Sequence, residues 1–243
     1  MKIISLVPSF TELVMDLGLE NELVGRTRFC ERPADKVGNV DIVGGTKNPN
    51  IEKIKALEAD IILGSKEENR KEDIDALRPF TRVLITDITT VEEALEAIGE
   101  IGTLLHRPER AEEIIGSIKE EIREIPDVQP VTAAYFIWRN PWMSIGGDTY
   151  ISDVMRLWGL RNVCEQAERY PVLEPERLAE IRPELIMLSS EPFPFKDKHQ
   201  AEMEEYCPDS KVVLVDGQWF SWYGSRMADA FRELNHWRKG LEL

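Results

Sequence analysis

Cysteine is scarce in this chain. Cys30, Cys164 and Cys207 stand far apart, and no C-x-x-C occurs. They read as reduced, structural thiols rather than a disulfide or zinc site. Histidine is equally rare. His106, His199 and His236 share no H-x-x-x-H or H-E-x-x-H spacing, so no metal site is expected. There is no P-loop, no G-x-G-x-x-G and no G-x-S-x-G. The common nucleotide cradles and the nucleophile elbow are therefore missing. Carboxylates abound, but no nucleophile pairs with a base, so the chain is not expected to be an enzyme. No run of 18 apolar residues exists, so no membrane-spanning helix is expected. Positive charge is in deficit: 30 Lys and Arg against 45 Asp and Glu leave a net charge of −15. Such a surface repels phosphates and anionic lipid, which excludes nucleic acid as an expected partner. The apolar opening, residues 1–9, is too short for a signal h-region and has no small-residue cleavage site. Two readings stay open: a cytoplasmic protein, or an envelope protein whose leader has been removed.

What the chain does have is a repeat. Residues 51–67 read I-E-K-I-K-A-L-E-A-D-I-I-L-G-S-K-E, and residues 175–191 read P-E-R-L-A-E-I-R-P-E-L-I-M-L-S-S-E. In each, a glutamate (Glu52, Glu176) opens a short helix with apolar residues at helical spacing. An acidic residue (Asp60, Glu184) then leads into an apolar strand. Each strand ends in a serine, with glutamate two residues on (Ser65 and Glu67; Ser189 and Glu191). In 243 residues this predicts two similar lobes of about 100 residues each. Small ligands bind in clefts between lobes.

Strands are expected at residues 2–6, 23–27, 42–43, 61–63 and 83–86. In the second half they are expected at 131–138, 162–164, 185–188 and 212–215. Ser9-Phe10-Thr11-Glu12 has the form of a capping box opening the first helix. Helices are also expected at 51–57 after Asn50, at 70–77 and from 91 to about 106. Pro108 then starts a helix over 108–125. Further helices are expected at 149–158, 175–181, 198–206 and 225–237. The alternation predicts an α/β fold: two lobes with mostly parallel sheets flanked by helices, joined by one long helix. The boundaries are 1–107, 108–125 and 126–243.

Aromatic residues are nearly missing from the first 121 positions, which hold only Phe10, Phe29 and Phe80. The remaining sixteen include all six tryptophans, several in turn-like segments: 138–142, 170–171, 192–195 and 219–224. Such loops follow strand C-termini, where open α/β sheets bind ligands. They read as an aromatic wall for a flat ligand. For any single ring, ordinary packing is the competing reading. The first half offers polar loops instead, with Thr46, Lys47 and Lys66; Asn50 is also a plain N-cap candidate.

These residues carry a resemblance. The opening I-I-S-L-V-P-S-F-T-E-L, then Val24-Gly25, Val43-Gly44-Gly45, Asn48-Pro49-Asn50-Ile51-Glu52 and A-D-I-I-L, resemble the cobalamin- and iron-chelate-binding proteins of ABC importers. In the second half Ile145-Gly146-Gly147-Asp148-Thr149, Arg169-Tyr170-Pro171 and W-F-S-W-Y-G-S-R over 219–226 do the same. The nearest likeness is to the helical-backbone metal receptors, and it covers nearly the whole chain. It implies a metal chelate (a corrinoid, a haem-like ring or a siderophore) held in the interlobe cleft for import, by a monomer with no built-in cofactor. The alternative on the same scaffold is a cytoplasmic sensor or carrier. The ligand-contacting set is then Ser9, Phe29, Thr46, Lys47, Lys66, Trp138, Arg139, Trp142, Tyr170, Glu191, Phe193, Trp222 and Tyr223. Stacking falls to Trp138, Trp142, Tyr170 and Trp222, and ligand carboxylates to Lys47, Lys66 and Arg139. The resemblance also implies that Glu52 and Glu176 pair with arginines of an ABC permease. Places near Thr46 and Ser65 where cobalamin binders carry rings have none here.

Overall fold

A computed structural model describes residues 1–242. The chain divides into two compact units. The first comprises Met1–Ile88, Glu92–Ser117 and the short segment Tyr223–Arg226. The second comprises Thr89–Val91, Ile118–Trp222 and the chain from Met227 onward.

In the first unit five parallel strands form one sheet. They are β1 (Ile3–Ser5), β2 (Leu23–Arg26), β3 (Asp41–Ile42), β4 (Ile61–Ser65) and β5 (Arg82–Thr86), in the order β3-β2-β1-β4-β5. Central strands β1 and β4 are buried throughout, as expected of parallel strands covered on both faces. Around the sheet lie α1 (Pro8–Asp16), α2 (Ile51–Ala56), α3 (Lys71–Leu77) and α4 (Val91–Leu104). Ile4, Leu6, Val43, Ile54, Ile62, Ile74 and Leu77 make one continuous core. Gly25 is needed where β2 passes beneath it. A Cβ there would stand 2.9 Å from Ile4, 3.0 Å from Val43 and 3.1 Å from Leu57.

The capping box expected at Ser9 does not form. Pro8 is the first helical residue, Val7 is the N-cap, and no side chain caps the helix. Proline's fixed φ and missing N–H suit that first position and start the helix before Ser9. Ser9 is thereby buried inside α1, and Glu12 is released for another partner.

Helix α5 (Pro108–Arg123) begins in the first unit and ends in the second, the division falling after Ser117. Its 16 residues give a length of about 24 Å.

The second unit holds β6 (Val131–Phe136), α6 (Tyr150–Leu157), β7 (Leu160–Asn162), α7 (Pro175–Ile181), β8 (Leu185–Ser189) and α8 (Asp197–Tyr206). It continues with β9 (Lys211–Val215), α9 (Gln218–Ser221) and α10 (Met227–Lys239). The four strands are parallel in the order β7-β6-β8-β9. That is the order β2-β1-β4-β5 of the first unit without the added β3. Strand β7 lies two residues earlier than its apolar run suggests. Asn162 ends it by accepting the Cys164 backbone N–H at 2.9 Å, which turns the chain. Trp158 is sealed in the core, its indole N–H donating to Asn235 Oδ1 at 2.9 Å.

The repeat in the sequence has a matching physical role in both units. Asp60 Oδ2 accepts the backbone N–H of Lys2 at 2.7 Å, just before β1. Glu184 Oε2 accepts the backbone N–H of Thr132 at 2.8 Å and its hydroxyl at 2.9 Å, at the start of β6. Each acidic residue therefore ties the strand it precedes to the first strand of its sheet. Those bonds hold Glu184 below the usual carboxylate range.

Candidate functional site

Each sheet has a place where the chain leaves the first strand to one side and returns on the other. Ligands of open α/β sheets bind outside the strand C-termini there. In the second unit this point lies after β6 and β8, and four segments meet around it.

The loop after β6 carries Trp138. Ile137 donates its N–H to the Met143 carbonyl at 3.0 Å and Met143 donates back to Trp138 at 3.0 Å, so the loop is a pinned hairpin. Trp138 is 41% exposed, large for a tryptophan in an ordered loop. Its ring meets the edge of Phe193 with centroids 5.7 Å apart. Phe193 belongs to the loop after β8 and donates its N–H to the Ile137 carbonyl at 3.2 Å, tying the two loops together.

Glu191 opens that second loop. Its Oε1 accepts from Ser221 Oγ at 2.7 Å and from Trp222 Nε1 at 2.9 Å. One carboxylate thus fixes both the turn after α9 and the Trp222 indole. Ser189 supports it from beneath. Its hydroxyl donates to the Glu191 carbonyl at 2.6 Å and accepts from Tyr135 Oη at 3.0 Å. Burial raises the Tyr135 phenol far above its usual range, so it stays a donor. Tyr170 is half-buried, with the Arg169 guanidinium 5.4 Å from its ring centre.

Two second-unit residues expected in the wall do other work. Trp142 is only 5% exposed, stacked on Phe195 at 5.6 Å and edge-on to Phe136 at 5.3 Å. It is core, because the hairpin folds it back over β6. Arg139 was expected to meet ligand carboxylates. It is instead paired with Glu202 of α8, its Nε 3.0 Å from Oε2.

In the first unit the corresponding loops are polar. Phe29 is 55% exposed, while Ser9 and Thr46 are buried. Lys47 donates to the Glu67 carbonyl, and Lys66 pairs with Asp87. Tyr223 is not a free wall residue. It is buried against Phe10, with ring centroids 5.4 Å apart, and hydrogen-bonds Ser65. The next residues complete the anchor: Gly224 takes φ +109, and Arg226 forms a two-pronged pair with Glu12, Nε to Oε2 at 2.7 Å.

Sequence reasoning missed Asn69 and Asn162, the buried amides that brace these loops. Asn69 accepts from Ser65 N–H at 2.9 Å and donates to the Thr46 carbonyl at 3.1 Å and the Leu6 carbonyl at 3.3 Å. Asn162 donates to the Ile145 carbonyl at 2.9 Å. Neither stands in a local pattern that marks it. Glu202 and His199, behind the aromatic loops, were missed likewise.

The expected docking residues hold equivalent positions. Glu52 is the second residue of α2 and Glu176 the second of α7, both exposed. Glu52 accepts from Lys55 Nζ at 2.9 Å. Among the described residues no cluster of three His, Cys, Asp or Glu could hold a metal ion. A cavity of about 300 Å³ lies along β7, lined by Ser152, Asp153, Arg156 and Asn162 among others. None of the aromatic wall borders it, so it is separate from the candidate site.

Parallel sheets with braced C-terminal loops and an exposed indole form a frame on which a ligand can be held. Residues 3–206 match the family model described as periplasmic binding protein, and the chain belongs to that family. It is 23% identical over 244 residues to the vitamin B12-binding protein of Photorhabdus laumondii, covering 96% of this chain and 86% of that one. It is 26% identical over 202 residues to an uncharacterised ABC transporter substrate-binding lipoprotein, YvrC, of Bacillus subtilis, covering 76% of this chain and 62% of that one. Among solved structures, the periplasmic vitamin B12-binding protein BtuF of Vibrio cholerae superposes with a TM-score of 0.81 at 22% identity, covering 98% of this chain and 96% of that one. A periplasmic heme-binding protein of Pseudomonas aeruginosa gives a TM-score of 0.83 at 20% identity, covering 99% and 94%.

Proposed function

We propose that the chain binds a tetrapyrrole-type metal chelate for delivery to an ABC permease on the outer side of the cytoplasmic membrane, and that a corrinoid is the preferred ligand. The observation that carries this reading is the exposed Trp138 ring, buttressed by Phe193 of the loop that Glu191 opens. An indole fixed at its edge offers its face to a flat ring without losing rotamer freedom on binding.

Charge favours a corrinoid over a haem. The arginines of these loops are engaged, Arg139 with Glu202 and Arg169 against Tyr170. Glu191 is an acidic group held against the Trp222 indole. A carboxylate accepts hydrogen bonds from neutral amide N–H groups such as those rimming a corrin, and repels the propionates of haem. The curated relatives named for vitamin B12 support the same direction. Glu52 and Glu176 meet cationic side chains of the permease.

The test is a titration of intrinsic tryptophan fluorescence with cyanocobalamin, hemin and a ferric siderophore, each corrected for absorption by the ligand. Saturable quenching by cyanocobalamin, shifted to about tenfold higher ligand concentration in Trp138→Ala, is expected. Tighter binding of hemin than of cyanocobalamin would overturn the corrinoid preference, and no binding of any of the three would overturn the chelate reading.

A further inference from the structure

His199 is absent from the ligand-contacting set, yet it sits directly behind it. It is the third residue of α8 and only 7% exposed. Its ring Nδ1 accepts the backbone N–H of Lys196 at 3.0 Å, while the His199 backbone N–H donates to the Lys196 carbonyl at 2.7 Å. This reciprocal clasp closes the loop between β8 and α8. The imidazole also meets Phe193 edge-on at 5.3 Å and Phe195 at 5.6 Å. Phe193 in turn holds the edge of Trp138. An unbroken line of contacts therefore runs from the His199 ring to the exposed indole.

We propose that His199 is a positioning residue for the Trp138–Phe193 face: its neutral imidazole pins the 191–196 loop, and its protonation releases that loop and weakens ligand binding. The chemistry follows from one atom. Nδ1 must carry a lone pair to accept the Lys196 N–H, so the neutral ring holds its proton on Nε2. A protonated ring has two N–H donors and no acceptor. It would then set donor against donor, at the N-terminus of a helix that already favours negative charge.

The charged groups facing the ring agree. Lys196 and Lys198 of its own segment and Arg139 from the loop after β6 oppose a positive imidazole. Glu202 favours it but is occupied by Arg139. Burial is the largest influence, and together these hold His199 below its usual value. The neutral form thus prevails at neutral pH, and acidification is the trigger.

The effect on ligand rests on the chelate-binding reading above; the effect on the loop does not. The experiment therefore has a ligand-free arm and a ligand arm, each run from pH 8 to pH 4 on the whole chain. In the first, the Trp138 emission (wild type minus Trp138→Phe) and the ¹⁵N shifts of the His199 ring are followed without ligand. We expect an Nε2–H tautomer at pH 8 and an emission change tracking His199 protonation below pH 6.5. His199→Asn, whose side-chain oxygen can still accept at this position, should give a flat emission profile. His199→Leu, which keeps bulk without an acceptor, should show the altered emission at every pH. In the second arm cyanocobalamin affinity should fall several-fold through the same pH range in wild type and stay level in His199→Asn. An Nδ1–H tautomer at pH 8, or the same emission profile in wild type and His199→Asn, overturns the proposal. Absence of cyanocobalamin binding at every pH defeats the binding reading, and the ligand-free arm still decides the role of His199 in the loop.

Discussion

Arg226 and Glu12 allow a sharp test of what anchors the Tyr223–Arg226 segment. Both fall in the first unit although 214 residues separate them. The side chains are 22% and 10% exposed. Replacing Arg226 with Leu strips the guanidinium from a carboxylate that is nearly out of water. Breaking a fully buried pair costs about 3–5 kcal/mol. Partial access of water to Arg226 lowers the expectation to about 2–3 kcal/mol. In a chain of this size that corresponds to a fall in melting temperature of about 5–10 °C. The double variant Glu12→Leu/Arg226→Leu leaves no stranded charge and should cost about 1 kcal/mol, well below the sum of the two single losses. Urea unfolding can assign the loss to a unit. All six tryptophans lie in the second unit, so fluorescence reports that unit while far-ultraviolet dichroism reports both. The dichroism midpoint should fall by more than the fluorescence midpoint. Single variants costing under about 0.5 kcal/mol, or a double costing the full sum, would refute the buried-pair reasoning.

Trp138 and Trp142 should separate cleanly. Trp138→Ala is expected to change stability by less than about 1 kcal/mol and to weaken cyanocobalamin binding about tenfold. Trp142→Ala should cost about 3–5 kcal/mol in urea unfolding, because it opens a cavity among Phe136, Phe195 and Met203. Stability should also fall as pH drops below about 6.5, since the unfolded His199 takes a proton before the folded one does. That component should vanish in His199→Asn, as read from urea midpoints at pH 7 and pH 5. Glu52→Gln/Glu176→Gln should leave ligand affinity unchanged and abolish stimulation of the cognate permease ATPase; unchanged stimulation would remove both residues from the docking role.

The frame was legible because it rests on short-range rules. Apolar runs bounded by turn residues gave the strands, Asn50 and Thr149 are N-caps accepting from the N–H three residues on, and Pro108 starts its helix as expected. The site was less legible because its decisive contacts are distant in sequence. Trp142 and Trp138 stand four residues apart in one turn-like segment, and nothing local says that one folds onto β6 while the other faces out. Arg139 looked available because Glu202 lies 63 residues away. Tyr223 looked like a wall residue because Phe10 and Ser65 lie far upstream. Ser9 misled for a local reason: proline at position 8 outranked a serine cap one residue later.

The two copies of the repeat show which features backbone chemistry holds in place. Asp60 and Glu184 differ in length, yet each satisfies an N–H at the edge of its sheet's first strand, a group costly to leave unpaired. Ser65 and Ser189 likewise stay buried at their strand ends. The surface positions obey no such demand. Three residues after Glu52 stands Lys55, which holds that carboxylate and also lies 4.2 Å from the Phe80 ring centre. Three residues after Glu176 stands Ala179, and the adjacent Arg177 turns to Glu180 instead. The proposed docking carboxylates are therefore equivalent in position but not in charge environment. A cationic partner must displace Lys55 at Glu52, whereas among the described residues no ion pair is formed by Glu176. An exposed pair at this spacing is worth only about 0.3–0.5 kcal/mol. The inequality is too small to set affinity, but it favours Glu176 as the first carboxylate engaged.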